Sequence, residues 1–476
     1  MGVEPIGIIT IVLGLYCMAL GQAATIKAFV TLSLLGAAAA FIVGSSSVQP
    51  AHLFLAFLAL AAMRNRQANT PLLDAIQFGR PGFWLACLVV YGTLSAYFLP
   101  RLFADATTIV PLGLSDHPLT RGVVPLGPVT SNLTQVVYLA ADLVCFMLIV
   151  AVGSTIDGYR TIAIGLIAYA AFNVLFALID VVTGAIGGQD MLQFIRNAQY
   201  TFHDNDKVNG FKRIVGSWPE ASAFAGTTLG AFGFTSTMWL CQRYSRWTGP
   251  LAMISMVLIV ASTSSTGLVA APVCLAIFYI TAVLRSGVGA DSSNSAAVAV
   301  LAPVLALLVG LIVVLQDRIF DAIHSYVDLL VLSKSTSSSA LTRGSWNTSG
   351  LQNFLDTYGL GAGLGTARTS SFPVAVLSNV GIPGALFILL FTLTALGPGR
   401  SAVPKSFVAD VRSAARNGCL CLLAGSVVAG PTVDLGLLFF ILAGLAASRP
   451  DVMSEATAPL LPLRQQSGLP APRRSG

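Results

Sequence analysis

The run AVAVLAPVLALLVGLIVVLQ, residues 297–316, carries no charged side chain over twenty positions. As a helix rising about 1.5 Å per residue it would be ~30 Å long, the depth of a bilayer's hydrocarbon core. Reading outward, it stops at DRIFDAIHSYVDLLVL, residues 317–332. There apolar and polar residues alternate with helical period, which predicts an amphipathic helix lying at a membrane surface. The same criterion applied to the whole chain marks thirteen candidate spans: 6–20, 28–43, 50–63, 81–99, 134–154, 161–187, 221–241, 249–262, 267–284, 297–316, 373–397, 417–429 and 432–447. The expected fold class is therefore all-α, a polytopic membrane protein of about 12–13 transmembrane helices with one large extramembrane loop.

Composition leads to the same class. Of 476 residues, 55% are hydrophobic and 10% charged, with a mean hydropathy of +0.80. Soluble domains average about 25% charged residues, so a soluble enzyme, a disordered chain and a nucleic-acid binder are excluded. The 45 Gly and 23 Pro are tolerated by transmembrane helices. The net charge of +6 and pI of 9.0 are what cytoplasmic loops supply, and no nucleic-acid partner is implied. All seven cysteines, Cys17, Cys87, Cys145, Cys241, Cys274, Cys419 and Cys421, fall in or beside apolar runs, so no disulfide framework is expected. The start, MGVEPIGIITIVLGLYCMAL, has no basic segment before its apolar run and reads as a retained span.

Lysine and arginine set the expected orientation. Placing the connections after the odd-numbered spans in the cytoplasm gives that side 16 of the 26 basic residues. The short opposite connections 44–49, 263–266 and 430–431 then carry none. The membrane domain is expected to occupy 1–447, with outer loops at about 100–133, 188–220 and 317–372, and 448–476 is expected to be a disordered cytoplasmic tail. In this topology His52, His117, His203 and His324 all lie on the outer side. Asp142, Asp180 and Asp434 lie in the outer halves of their spans. Intramembrane carboxylates default to a functional reading, against the plain alternative of a hydrogen bond from a neighbouring helix.

Three stretches carry chemistry. The first is FKRIVGSWPEASAFAG, residues 211–226, where Arg213 precedes Gly216, Trp218, Pro219 and Glu220. Proline suits a first helical turn, and an acid near the helix start suits the dipole. The small residues that follow permit close approach of another helix or of a lipid-linked ligand. An ordinary interfacial helix start with a snorkelling arginine would look the same. The second is LTRGSWNTSGLQNFLDTYGLGAGLGTARTSSF, residues 341–372, where Arg343 and Arg368 bracket Gly359, Gly361, Gly363 and Gly365. Successive backbone N–H groups there could form an anion-binding nest, although most such runs are turns. Arginine adds planar donors suited to phosphate. Asp356 and Tyr358 are candidate caps or substrate contacts. The third is STSSTG, residues 262–267, which offers hydroxyls in a short connection. There is no metal-ligand spacing, P-loop, Rossmann fingerprint or nucleophile elbow. Asn132-Leu-Thr134 and Asn347-Thr-Ser349 read as chance sequons.

These stretches together resemble the bacterial O-antigen and exopolysaccharide polymerase and O-antigen ligase family, integral membrane glycosyltransferases. Arg213-Ile-Val-Gly216 with Pro219 and Ala221–Ala225 is similar to an outer stretch of that family leading into a span. The run from Arg343 through Asp356-Thr-Tyr-Gly-Leu-Gly-Ala-Gly-Leu-Gly to Asn379 and Gly381 is similar to its late loop and next span. The segment PVTSNLTQVVYLAAD, residues 128–142, adds to the likeness, which covers roughly 120–397. Two departures stand out. Many relatives have Ser-Arg where this chain has Ser265-Thr266, and ligases carry a histidine in the late loop, whereas 341–372 has none. The second departure favours a polymerase over a ligase.

The resemblance implies a substrate, an oligosaccharide on undecaprenyl diphosphate, and a site on the periplasmic side of the bacterial inner membrane. It also implies a polymerase that works among membrane lipid beside a flippase and a chain-length regulator. Arg213 and Arg343, with Arg368, would neutralise the diphosphate, so neither a metal nor a cofactor is expected. Glu220 is the first candidate for general base, with His324 and Asp356 in reserve. Asp356, Tyr358, Gly361, Gly363, Arg368 and His324 are the expected substrate contacts. An inverting single displacement follows from the family. The competing classes are a secondary transporter or flippase and a non-catalytic assembly subunit.

Overall fold

A computed structural model describes residues 2–43, 46–64, 69–199, 207–208, 211–286, 293–328, 338–397 and 405–450. The chain is an all-α polytopic membrane protein. The described helices are α1 (Pro5–Leu20), α2 (Gln22–Leu32), α3 (Pro50–Met63), α4 (Asn69–Ala75), α5 (Pro81–Leu102), α6 (Ser131–Val152), α7 (Ile156–Ile186) and α8 (Ala221–Leu240). They continue as α9 (Ser245–Ala261), α10 (Ser265–Ser286), α11 (Ser293–Leu315), α12 (Asp317–Val327), α13 (Ser338–Asp356), α14 (Phe372–Leu396), α15 (Phe407–Val428) and α16 (Leu437–Ala447). Six of them, α5, α6, α7, α10, α11 and α14, are long and apolar enough to cross a bilayer by themselves. Each of the thirteen expected spans meets one helix. α4, α12 and α13 are additional, and α12 is the expected amphipathic helix.

Two spans differ from expectation. The run 28–43 is helical only to Leu32, after which Ser33–Ala40 turns as irregular backbone with Ala37–Ala40 wholly buried. Its polar groups find remote partners: the Ala37 N–H donates to the Ser217 carbonyl (3.2 Å), Ala39 to Asn197 Oδ1 (2.9 Å) and Ala40 to the Val48 carbonyl (2.7 Å). Non-helical chain inside a membrane protein is tolerated where protein supplies such bonds. α15 starts at Phe407 rather than near 417, because its charges are matched. Asp410 is met by Arg243 (2.8 Å) and Arg285 (2.9 Å), while Arg412 donates to the Ala446 and Ser448 carbonyls.

These contacts sort the connections between two ends of the bundle. The Asp410 cluster joins the connections after α8, α10 and α14, and Arg412 adds the one after α16. At the other end, Glu4 accepts from Asn197 (3.1 Å), and Ser217 donates to Leu34 O (2.8 Å). There too Gly430 N donates to Ser370 O (3.0 Å). A small antiparallel sheet, β1 (Gly2–Val3), β2 (Phe41–Val43) and β3 (Ser46–Val48), closes that end. The hairpins β4 (Thr108–Ile109) with β5 (Val124–Pro125), and β6 (Lys207–Val208) with β7 (Phe211–Lys212), belong to connections that emerge at the same end.

α8 is the most deeply packed of the long helices. Its glycines admit α15: a side chain at Gly230 would strike Leu422 and one at Gly233 the Asn417 carbonyl, at 2.5 and 2.7 Å. Thr228 and Thr237 on α8 accept from Asn173 and Asn417, each at 2.9 Å. α11 contrasts with it, having almost no buried residue. Of the expected tail 448–476, residues 451–476 lie outside the described residues, as do residues 329–337 of the late loop.

Candidate functional site

The 211–217 stretch is held by a carboxylate brace. Asp180, 1% exposed in the last turns of α7, lies 2.7 Å from both Arg196 Nη2 and Lys212 Nζ. Its second oxygen accepts the N–H groups of Val215 (2.9 Å) and Gly216 (3.1 Å). Arg196 follows a 3-10 helix, Gln189–Ile195, and its Nε donates to the Gly216 carbonyl (3.0 Å). Gly216 has φ +56°, which a side chain would strain. Trp218 lies so close over Gly36 that a Cβ there would overlap the indole. Asp180, read from sequence as a candidate functional carboxylate, thus anchors the chain that carries the site. Among the described residues the brace sets two cations, Arg196 and Lys212, against one carboxylate, next in sequence to Arg213.

Glu220 ends this stretch as the residue before α8 and accepts a hydrogen bond from Ser222 Oγ. Its Oε2 stands 3.7 Å from Arg343 Nη2 on α13, and both side chains are about one third exposed, at 35% and 36%. Arg213 Nη2 donates to the Thr263 carbonyl (3.4 Å) in the 262–267 connection. Arg343, in the expected outer loop 317–372, lies in the first half of a 19-residue helix. One turn further on, Trp346 carries the Arg368 guanidinium 5.4 Å above its ring. Burial lowers the proton affinity of that guanidinium. Asn347 Oδ1 accepts from the N–H groups of Ser370 (2.8 Å) and Ser371 (3.2 Å) just before α14. Contacts between the three stretches thus bring Arg213, Glu220, Arg343 and Arg368 to one end of the bundle.

The glycine run does other work. Gly359, Gly361, Gly363 and Gly365 all have positive φ, but the N–H groups that an anion nest would offer meet protein acceptors. Gly361 N donates to Thr357 Oγ1 (3.1 Å), Ala362 N to Ser378 O (2.7 Å), and Gly363 N to Asn379 O (2.9 Å). A Cβ at Gly361, Gly363 or Gly365 would strike Asn379, Pro100 or Ser131, all within 2.8 Å. The expectation that Gly361 and Gly363 contact substrate is therefore corrected: they let the chain pass between α5, α6 and α14.

Asn132 clamps the same run, its Nδ2 donating to Leu364 O (2.7 Å) and Thr366 Oγ1 (2.8 Å). Asn379 brackets Ala367 from both sides, at 3.0 Å each. Asn132 and Asn347 thus have structural partners that a sequon reading overlooks. Only their place beside an apolar run hinted at it.

Asp356 and Tyr358 lie elsewhere. Thirteen helical residues separate Asp356 from Arg343, a rise of ~20 Å along α13. With Leu102, Phe103, Ala106 and Leu355 they line an open cavity of about 530 Å³. Tyr358 is 87% exposed. His324 is exposed on α12 and stacks on Phe320 with centroids 6.0 Å apart. α12 reaches α9 through Tyr326, whose hydroxyl donates to Val260 O (3.0 Å). Neither reserve base is among the residues that these contacts join to Glu220. Among the described residues no group of three or more His, Cys, Asp or Glu side chains could hold a metal ion.

No protein-family model and no curated protein matches this chain. What the site can do rests on its own groups. It offers fork-shaped cations suited to an anion and a carboxylate that can accept a proton, at the mouth of an apolar bundle.

Proposed function

We propose that the chain polymerises oligosaccharide repeat units carried on undecaprenyl diphosphate, at the outer face of the bacterial inner membrane. The observation that carries this reading is the Glu220–Arg343 pair, which joins α13 to the mouth of α8 beside Arg213. A pair that exposed contributes only ~0.2–1 kcal/mol to stability, so folding alone gives it little purpose. At 3.7 Å it is also looser than a charge-assisted hydrogen bond.

In the proposed reaction Arg343 turns from Glu220 to the diphosphate of the growing chain's lipid carrier, with Arg213 and Arg368 adding donors. Glu220 is thereby freed. The acceptor hydroxyl on the next lipid-linked unit gives its proton to Glu220 as its oxygen bonds to the anomeric carbon. The bond from that carbon to the carrier's phosphate oxygen breaks, and undecaprenyl diphosphate leaves with the electron pair. Fixed cations aimed at developing charge are the largest single aid such a transfer can have. The outer-face assignment draws on the expected topology, in which 16 of the 26 basic residues fall in the connections on the opposite side of the membrane.

The deciding experiment is transfer by the purified chain in lipid vesicles supplied with lipid-linked repeat units. Release of undecaprenyl diphosphate with growth of the glycan is expected, and Arg343→Ala should suppress both. A second acceptor class, as in the ligases of the family, would appear as transfer to a different lipid-linked glycan. Movement of intact lipid-linked units across the vesicle without polymer would replace the proposal with a transporter.

A further inference from the structure

Three aspartates are buried beside the bundle's helices. Asp180 is met by Arg196 and Lys212, and Asp410 by Arg243 and Arg285. Asp142, midway along α6 and 0% exposed, is met by neither arginine nor lysine among the described residues. Its carboxyl group lies within hydrogen-bonding reach of Asp434. An unpaired carboxylate in such a place costs several kcal/mol, and two carboxylates side by side cost more.

The backbone explains why Asp434 is there. α16 has eleven residues, ~16 Å of rise, about half a bilayer. Its C-terminal end is fixed by Arg412, so its first turn starts near mid-depth. The chain between Gly430, bonded to Ser370 at the far end, and Gly436 descends without helix. Asp434 Oδ1 accepts the Gly436 N–H (2.5 Å), capping the start of α16. A helix N-terminus favours the charged form of an acid placed on it.

A third group lies near Asp434. His52, in the first turn of α3, lies within charge-interaction range of Asp434 and packs its ring on Tyr138 with centroids 4.9 Å apart. Both its ring nitrogens are sealed from solvent and have no hydrogen-bond partner. Tyr138 donates to Ser47 O (2.5 Å) towards the β1–β3 end. Cys145 is the remaining titratable side chain near Asp142, on α6 itself. Asp74 on α4, Arg80 before α5 and Asp157 and Arg160 on α7 belong to the opposite end of their elements. An imidazolium here would leave two N–H donors unsatisfied and the neutral ring one, whereas the single O–H of a carboxylic acid at Asp142 would have Asp434 to accept it.

We propose that Asp142, Asp434 and His52 form a proton-binding site inside the membrane domain, with the proton resident on Asp142 and donated to the Asp434 carboxylate. This site is separate from the Glu220–Arg343 pair and stands whether or not the chain is a glycan polymerase. Losing the proton would leave two negative charges in contact between α6 and the start of α16, so the packing of that half-helix is coupled to proton occupancy. The donor set suits a proton and not a metal: among the described residues no three such side chains are placed to hold a metal ion, whereas a proton needs only the contact of Asp142 with Asp434.

The test is infrared spectroscopy of the full chain in lipid nanodiscs at neutral pH, in H₂O and D₂O. A carbonyl-stretch band of a protonated carboxylic acid is expected, persisting into mildly alkaline buffer and shifting in D₂O. Asp142→Asn should abolish it. Asp434→Asn should shift its frequency by changing the acceptor, and Asp356→Asn, at a solvent-facing position, should leave it unchanged. Absence of the band in the unmodified chain overturns the proposal whether or not the variants fold. So does a band that Asp142→Asn leaves intact. Loss of the band on adding sodium ions would also overturn it, in favour of a metal cation.

Discussion

In the proposed reaction Arg343 and Glu220 each act through a group that the other masks at rest. Their separation predicts opposite consequences for stability and for activity. Arg343→Ala removes an exposed pair, so thermal stability in detergent should change little. Polymer made at equal membrane abundance should fall ~10²-fold or more, the loss expected when a donor on a developing phosphate charge is removed. Arg343→Lys keeps the charge but loses the fork and should restore only part of the activity. Glu220→Gln should slow transfer while leaving binding of the lipid-linked donor in place, measured by retention of labelled donor. Normal polymer from Arg213→Ala and Arg343→Ala alike would remove the site. Because the proposed reaction neutralises the diphosphate with arginine, turnover should survive EDTA. A loss reversed by Mg²⁺ would contradict that assignment.

At the scale of elements, the passage of 359–367 between α5, α6 and α14 depends on glycines at sites with no room. Gly381 interrupts α14 at φ +58°, and a Cβ there would run into the Gly359 carbonyl. Gly381→Ala should therefore cost ~1–3 kcal/mol or more and reduce the folded yield. Gly226→Ala on α8, with no atom within 4 Å of the added carbon, is the matched change that should be tolerated. Fluorescence-detected size-exclusion after stepped heating would compare the two.

The apolar runs made the spans legible, because hydropathy reports depth in a bilayer directly. It does not report backbone conformation. Ser33–Ala40 is apolar enough to extend a span and is nevertheless folded as turns around Ser217 and Asn197. The start of α15 was hidden for the converse reason, since Asp410 and Arg412 are satisfied by residues far away in sequence. Of the site, the arginines and Glu220 could be read from charge beside apolar runs. The contacts between α13 and α8, the distant placement of Asp356 and the occupation of the glycine run's N–H groups could not, because each depends on what packs opposite.

For the whole molecule, bonds between remote connections define two ends without reference to a membrane. Single cysteines can assign them to sides. In a cysteine-free background, Ser345→Cys should react with an impermeant thiol reagent in intact cells, and Arg160→Cys only after the membrane is opened. The reverse pattern would invert the topology and place the Glu220–Arg343 pair in the cytoplasm.

The Asp180 brace also has a history within each synthesis. Asp180 enters the bilayer as part of α7 before either partner has left the ribosome. Arg196 follows 16 residues later and Lys212 follows 32 later. At roughly 5–20 residues per second, the first partner arrives after about one to three seconds and the second after about two to six. During that interval α7 carries a carboxylate without its countercharge, near a helix end where the insertion cost is moderated. The nascent chain thus gains the scaffold for Arg213 in two successive closures, Arg196 first.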